Sequence, residues 1–88
     1  MRRVLIYTTP ICPFCTRAKA LLQKKGADFE EIDIYGNAGA RADMEAKASG
    51  RRTVPQIFVG DTYVGGCDDL FELEAEGRLD PLLAGDAS

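Results

Sequence analysis

Residues 4–22 read VLIYTTPICPFCTRAKALL, and in this run two periodicities meet at a pair of cysteines. Val4 to Tyr7 form a continuous β-prone run, the pattern of a central strand covered on both faces. Beyond it, Phe14, Ala18, Leu21 and Leu22 fall at i, i+4, i+7 and i+8, which predicts an amphipathic helix over 13–25. Pro13 suits the first helical position, where its missing N–H would have no partner. Lys24 and Lys25 complement the negative end of the helix dipole, and Gly26 can cap it. A strand feeding directly into a helix, with Cys12 and Cys15 at the junction, points to an α/β domain.

Two cysteines at this spacing can form a disulfide, hold a metal, or be neighbours in a core. Their placement favours redox chemistry. Cys12 falls at the N-cap, so a thiolate there can accept hydrogen bonds from the free N–H groups of Phe14 and Cys15. The helix dipole favours the same negative charge. Both effects lower the thiol pKa from about 8.5 and make Cys12 a nucleophile at neutral pH. Cys15, inside the first turn, is expected to be less exposed and to act second. A structural zinc site usually takes four ligands, and the chain offers three cysteines and no histidine, so no metal is expected.

The remainder of the chain extends this plan. "FEEIDI" (29–34) reads as a strand with Ile32 and Ile34 on one face. Asn37 can cap a second helix over 38–49, whose Ala-rich apolar face is thin. "QIFV" and "TYVG" flank "GD", a two-residue hairpin signal that predicts antiparallel strands at 56–59 and 62–65. Asp68 or Asp69 can open a third helix running to about Glu76, with Gly77 just beyond. The predicted order is β-α-β-α-β-β-α, with the first two strands parallel through a crossover helix.

Composition excludes several function classes. At 88 residues the chain is read as one domain, and 45% hydrophobic with 28% charged residues argues against disorder. A net charge of −3 gives no support to nucleic-acid binding, and the basic pairs in "QKKG" and "GRRT" read as solvated faces. The N-terminal "MRRVLIYTTP" has only four contiguous apolar residues, too few for a secretory or membrane segment, so the cytosol is the expected compartment and no membrane partner is expected. There a C-x-x-C pair is catalytic, redox-sensing or metal-binding more often than structural.

Three ordered motifs, "CPFC" after a strand, "TVPQIF" before a hairpin and "GGCDD" opening a helix, together resemble the glutaredoxins, in particular the small bacterial dithiol type. The resemblance runs over residues 3–83. It implies a thioredoxin-like fold, with a four-stranded mixed sheet flanked by helices, and glutathione-dependent reduction of disulfides. Cys12 and Cys15 would be catalytic, glutathione a co-substrate, no bound cofactor needed, and the protein a monomer. Its partners would be disulfide-containing or glutathionylated proteins; ribonucleotide reductase and a reductase of small oxyanions are further candidates between which the sequence does not choose. The family's potentials, about −200 to −230 mV, let the cytosolic glutathione pool keep it reduced.

The resemblance also assigns a glutathione site. Pro55 of "TVP" (53–55) would be cis, turning the backbone of Val54 towards Cys12, with Thr53 alongside. The two glycines of "GGCDD" (65–69) would let substrate approach the backbone, Gly66 beside the bound peptide. The amides of Cys67 and Asp68 would meet the γ-glutamyl carboxylate, and the Asp68 carboxylate the neighbouring ammonium. Cys67 itself reads as a buried, inert thiol. Arg51 would take the glycine carboxylate, with Arg52 as a second candidate. Two positions depart from the family pattern: Thr9 stands where a lysine is frequent, and Phe14 where tyrosine is more common. Two rival readings remain: an electron donor recharged by thioredoxin reductase, which Arg51 and "GGCDD" oppose, and an iron–sulfur carrier. Carriers usually have glycine after the first cysteine and serine for the second, so Pro13 and Cys15 oppose that reading.

Overall fold

Residues 1–85 are described in the computed structural model. Their elements are β1 (Val4–Thr8), α1 (Pro13–Lys24), β2 (Phe29–Asp33), α2 (Ala38–Lys47), β3 (Gln56–Val59), β4 (Thr62–Gly65), α3 (Cys67–Ala75) and α4 (Leu79–Ala84). The strands form one mixed sheet in the order β2-β1-β3-β4, with β1 parallel to β2 and antiparallel to β3, and β3 antiparallel to β4. This is the expected thioredoxin-like sheet. Its pairing brings the C-terminal ends of β1, β2 and β4 and the start of β3 to one end of the molecule, and the cysteine pair sits there.

Strand alternation sorts the core into two layers. Val4, Ile6, Ile57 and Val59 face α1, α3 and α4, packing with Ala18, Leu21, Leu22, Leu70, Leu79 and Leu83. Tyr7 and Phe58 face the other way, onto Ile34 and onto Met44 and Ala48 at α2. The register agrees, because Val4 pairs with Val59 and Leu5 with Phe58. Burying one side chain such as Leu22 fully stabilises the fold by about 1.5–3 kcal/mol, so the α1 side dominates. On the opposite side α2 buries only Met44 within its span, which is the thin face expected from its alanines.

Several boundaries differ from expectation. α1 closes as predicted: the N–H of Gly26, at φ +71°, donates to the Gln23 carbonyl, and that of Ala27 donates to the Leu22 carbonyl. The third helix, in contrast, begins at Cys67 with Gly66 as N-cap, so neither Asp68 nor Asp69 is the cap. A further short helix, α4, follows the seven predicted elements. Gly77 ends α3 at φ +72°, and Leu79, Leu82 and Leu83 then bury themselves against the sheet. Lys25 fixes this arrangement, its ammonium lying 2.7 Å from Glu74 of α3 and 2.9 Å from Asp80 of α4. Among the described residues no helix is long and apolar enough to cross a membrane.

Candidate active site

Cys12 has extended backbone at the N-cap of α1, and Pro13 follows at the first position. Cys12 and Cys15 are joined as a disulfide, their Cα atoms 5.2 Å apart, and the Cys15 N–H donates to Cys12 Sγ at 3.1 Å. Phe14 N–H makes no matching bond, so the cap rests on one of the two amides expected. Cys15 is 1% exposed, whereas Cys12 is half-buried and reachable. Exposure therefore distinguishes the two sulfurs: Cys12 is open to a reactant and Cys15 is enclosed.

A groove of about 270 Å³ lies beside this pair, lined by Phe14, Arg51, Thr53, Val54, Pro55, Gly66, Cys67, Asp68 and Asp69. Val54–Pro55 is cis, and the Val54 carbonyl oxygen lies 3.9 Å from Cys12 Sγ. Three segments distant in sequence thus meet: the first turn of α1, the entry to β3, and the N-terminus of α3. Phe14, Arg51, Thr53, Val54, Pro55, Gly66, Cys67 and Asp68, to which the resemblance assigns glutathione contact, all line this one groove, and Gly65 does not. Arg52 does not; it points to Glu45 at 3.9 Å, which leaves Arg51 as the cation of the groove.

Asp69 is the residue that sequence reasoning missed. Gly66 has no side chain with which to cap α3, and Asp69 reaches back so that the Gly66 N–H donates to its Oδ2 at 2.8 Å. The same oxygen lies 3.5 Å from Arg51 Nη1, and the Arg51 guanidinium also donates to the Tyr63 hydroxyl at 3.2 Å. Tyr63 in turn bonds Gln56 at the start of β3. Arg51 is therefore held from two sides. The glycine three residues before an aspartate at a helix start was the available signal.

This network corrects two expectations. Gly65 was read as making room for substrate, but it sits at φ +115° and a Cβ there would collide with the Asp69 carboxylate. Its freedom serves the cap. Asp68, freed from capping, is exposed on the groove and makes no side-chain hydrogen bond among the described residues. Cys67 is 5% exposed, and burial pushes its thiol pKa above its ordinary value, with nearby Arg17 opposing and Asp68 adding to the rise. Cys67 is thus buried, as expected.

Behind the cysteines, the Thr8 hydroxyl donates to Glu31 Oε2 at 2.7 Å and the Lys19 ammonium to the same oxygen at 2.9 Å. These bonds tie the end of β1 and the second turn of α1 to β2. They hold the Glu31 carboxyl below its ordinary value, Thr8 contributing most.

Comparison with known proteins places this geometry among relatives. The glutaredoxin family profile matches residues 4–64. Glutaredoxin 3 of Escherichia coli is 58% identical over 83 residues, covering 94% of this chain and 99% of that protein. The solution structure of a glutaredoxin from Brucella melitensis superposes with a TM-score of 0.85 at 56% identity, covering 100% of this chain and 95% of that one. A buckwheat glutaredoxin–glutathione complex superposes with a TM-score of 0.84 at 30% identity, covering 94% and 77% respectively.

Proposed function

Because the chain belongs to the glutaredoxin family and is a thiol–disulfide oxidoreductase, we propose that it draws its electrons from glutathione and binds that tripeptide in the groove beside Cys12. The observation that carries this reading is the convergence of the first turn of α1, Arg51 with Thr53–Pro55, and Gly66–Asp68 on a single groove. Glutathione has two carboxylates, one ammonium and a peptide-like middle. Arg51 offers a planar donor fork to one carboxylate, and the free amides at the α3 N-terminus suit the other. Asp68 suits the ammonium. The relative solved with glutathione supports the same ligand.

The reaction proceeds by exchange. The Cys12 thiolate attacks one sulfur of a substrate disulfide; the S–S bond breaks and the other sulfur leaves as a thiolate, which takes up a proton. With a protein disulfide, the Cys15 thiol loses a proton and its sulfur attacks the mixed disulfide, forming the Cys12–Cys15 bond and releasing the second substrate thiol. Two glutathione thiols then reduce that bond: the first forms a Cys12–glutathione disulfide and frees Cys15, and the second releases oxidised glutathione and restores Cys12. Targets of this exchange are disulfide-bonded or glutathionylated proteins, the chain acting as a monomer in the cytosol.

A coupled assay on a small glutathione mixed disulfide tests the proposal, comparing glutathione plus glutathione reductase with thioredoxin reductase as the electron source. Arg51→Ala and Asp68→Ala each remove a charge-assisted hydrogen bond of about 1–3 kcal/mol, so kcat/KM should fall roughly 5- to 150-fold through KM. The Cys12 pKa should stay unchanged. Wild-type kinetics in both variants, or turnover supported only by thioredoxin reductase, would overturn the reading.

A further inference from the structure

A second groove, of about 670 Å³, lies along the outer edge of the sheet, between β4 and the helices α3 and α4. β4 is the last strand in the order and pairs only with β3, so its other edge is open. Alternate residues of such a strand turn their N–H and C=O groups outward. Among the described residues no backbone bond outside the sheet uses Thr62, Tyr63 or Val64. An edge of this kind is a template for a further strand. α3 lies alongside it: Asp69, Glu72, Leu73 and Glu76, at i, i+3, i+4 and i+7, form the helix face that lines the groove with β4.

Two sets of side chains meet in this groove. Leu82 is buried and Val64 and Leu73 are half-buried, whereas Glu72 and Glu76 are exposed. α3 and its C-cap carry Asp68, Asp69, Glu72, Glu74 and Glu76 and no lysine or arginine. Carboxylates in the last turn of a helix run against its dipole. Lys25 answers Glu74 at 2.7 Å and Arg78 answers Glu76 at 3.3 Å, but Glu72 has no partner among the described residues. Glu72 therefore breaks a local rule with no compensating contact in the chain, which is the mark of a functional position. Charge also decides the occupant. Two copies paired edge to edge would bring two acidic grooves together, and like charges oppose that. A basic segment meets the same carboxylates with opposite charge.

We propose that an extended, basic polypeptide segment docks in this groove as a further strand on β4, with lysine or arginine at alternate positions. Glu72 and Glu76 stand about 6 Å apart along the helix axis, and side chains at i and i+2 of a strand stand about 6.6 Å apart. Those positions share one face of the docked strand. Their aliphatic stems cover Val64, Leu73 and Leu82 while their charged heads reach the two carboxylates. The main chain of the segment pairs with the outward groups of β4 and contributes affinity that does not depend on sequence. Asp69 borders both grooves, so the docked segment lies beside the groove at Cys12 without filling it. Glu72 and Glu76 take no part in that groove, and docking is independent of the electron source.

The test is fluorescence anisotropy with the full oxidised chain and labelled octapeptides, in about 0.1 M salt, where exposed charges more than about 10 Å away are screened. A peptide alternating lysine and threonine should bind, and one of equal composition with its lysines in a single block should bind at least about fivefold more weakly. Glu72→Gln/Glu76→Gln should weaken the alternating peptide about 3- to 30-fold. Both glutamates are exposed and their loss relieves the helix dipole, so this variant should fold as the wild type does. Glu30→Gln/Asp43→Asn removes the same charge from exposed positions on β2 and α2 and should change binding by less than about twofold. Two further peptides carry N-methyl groups on alternate amides, one at every lysine and one at every threonine. Only one set of N–H groups can face β4, so one of them should bind at least about tenfold more weakly than the other. No binding of the alternating peptide at millimolar concentration, equal binding of the block peptide, equal effects of the two charge-removing variants, or equal binding of the methylated pair would overturn the proposal. So would a dimer that protects the β4 amides from hydrogen exchange, since a second copy would then hold the edge.

Discussion

Replacing Asp69 by alanine should destabilise the protein although neither cysteine is touched. The Asp69 carboxylate accepts the Gly66 N–H at 2.8 Å in a part-buried setting, and truncation leaves that N–H without its partner. Loss of such a cap costs about 1–2 kcal/mol. The pair with Arg51 is long at 3.5 Å, and both side chains are close to half exposed, so it adds about 0–1 kcal/mol. A total of about 1–3 kcal/mol corresponds to a fall in Tm of roughly 5–20 °C for a domain of this size. Asp68→Ala, which removes an exposed side chain with no hydrogen bond, should stay within about 0.5 kcal/mol of wild type. Thermal unfolding followed by circular dichroism, on oxidised proteins at one pH, separates the two. Gly65→Ala adds a check, because its Cβ would strike the Asp69 carboxylate. The double variant Gly65→Ala/Asp69→Ala should therefore be less unstable than the sum of the single changes. Equal losses for Asp68→Ala and Asp69→Ala would refute the capping assignment, and additive losses with Gly65→Ala would refute the clash.

The dithiol, the third thiol and the Glu31 network give further expectations. Cys12→Ser should abolish thiol transfer, while Cys15→Ser should keep reduction of glutathione mixed disulfides and lose most reduction of protein disulfides; equal loss of both activities in Cys15→Ser would contradict the division of labour. Cys67→Ala should leave turnover within a few-fold of wild type, because the proposed contact there is the backbone N–H, and a hundredfold drop with the fold intact would implicate the sulfur. Glu31 is held below its ordinary value of 4.5, so its stabilising contribution is full above that pH and is lost as pH falls through the lower folded-state value. Glu31→Gln should thus lower Tm near neutrality and flatten its decline in acid; a parallel decline in both proteins would mean that another carboxylate governs it.

Most of the fold could be read from the sequence because its signals are local and agree with one another. The β-prone run at Val4, the proline-started helix at Pro13 and the "GD" turn each specify one element, and their order leaves few topologies. α4 was hidden for a physical reason. Six residues, "LDPLLA", are too short for helical periodicity to show, with a glycine before them and a proline inside. Their helicity comes from burying Leu79, Leu82 and Leu83 against a sheet built elsewhere in the chain, and tertiary packing of this kind leaves no local trace.

The site divides along the same line. Groove residues carried by motifs could be named individually, but the division of labour between Asp68 and Asp69 could not. Successive residues on a helix point about 100° apart, so moving the start of α3 by one position exchanges the aspartate that turns back with the one that faces the groove. That start is set by the irregular pairing of β3 and β4 at Ile57/Phe58 and by Gly65 at φ +115°. Neither feature follows from hydrophobic pattern. The backbone path out of β4 decides which carboxylate holds the helix and Arg51, and so which one remains free to meet a ligand.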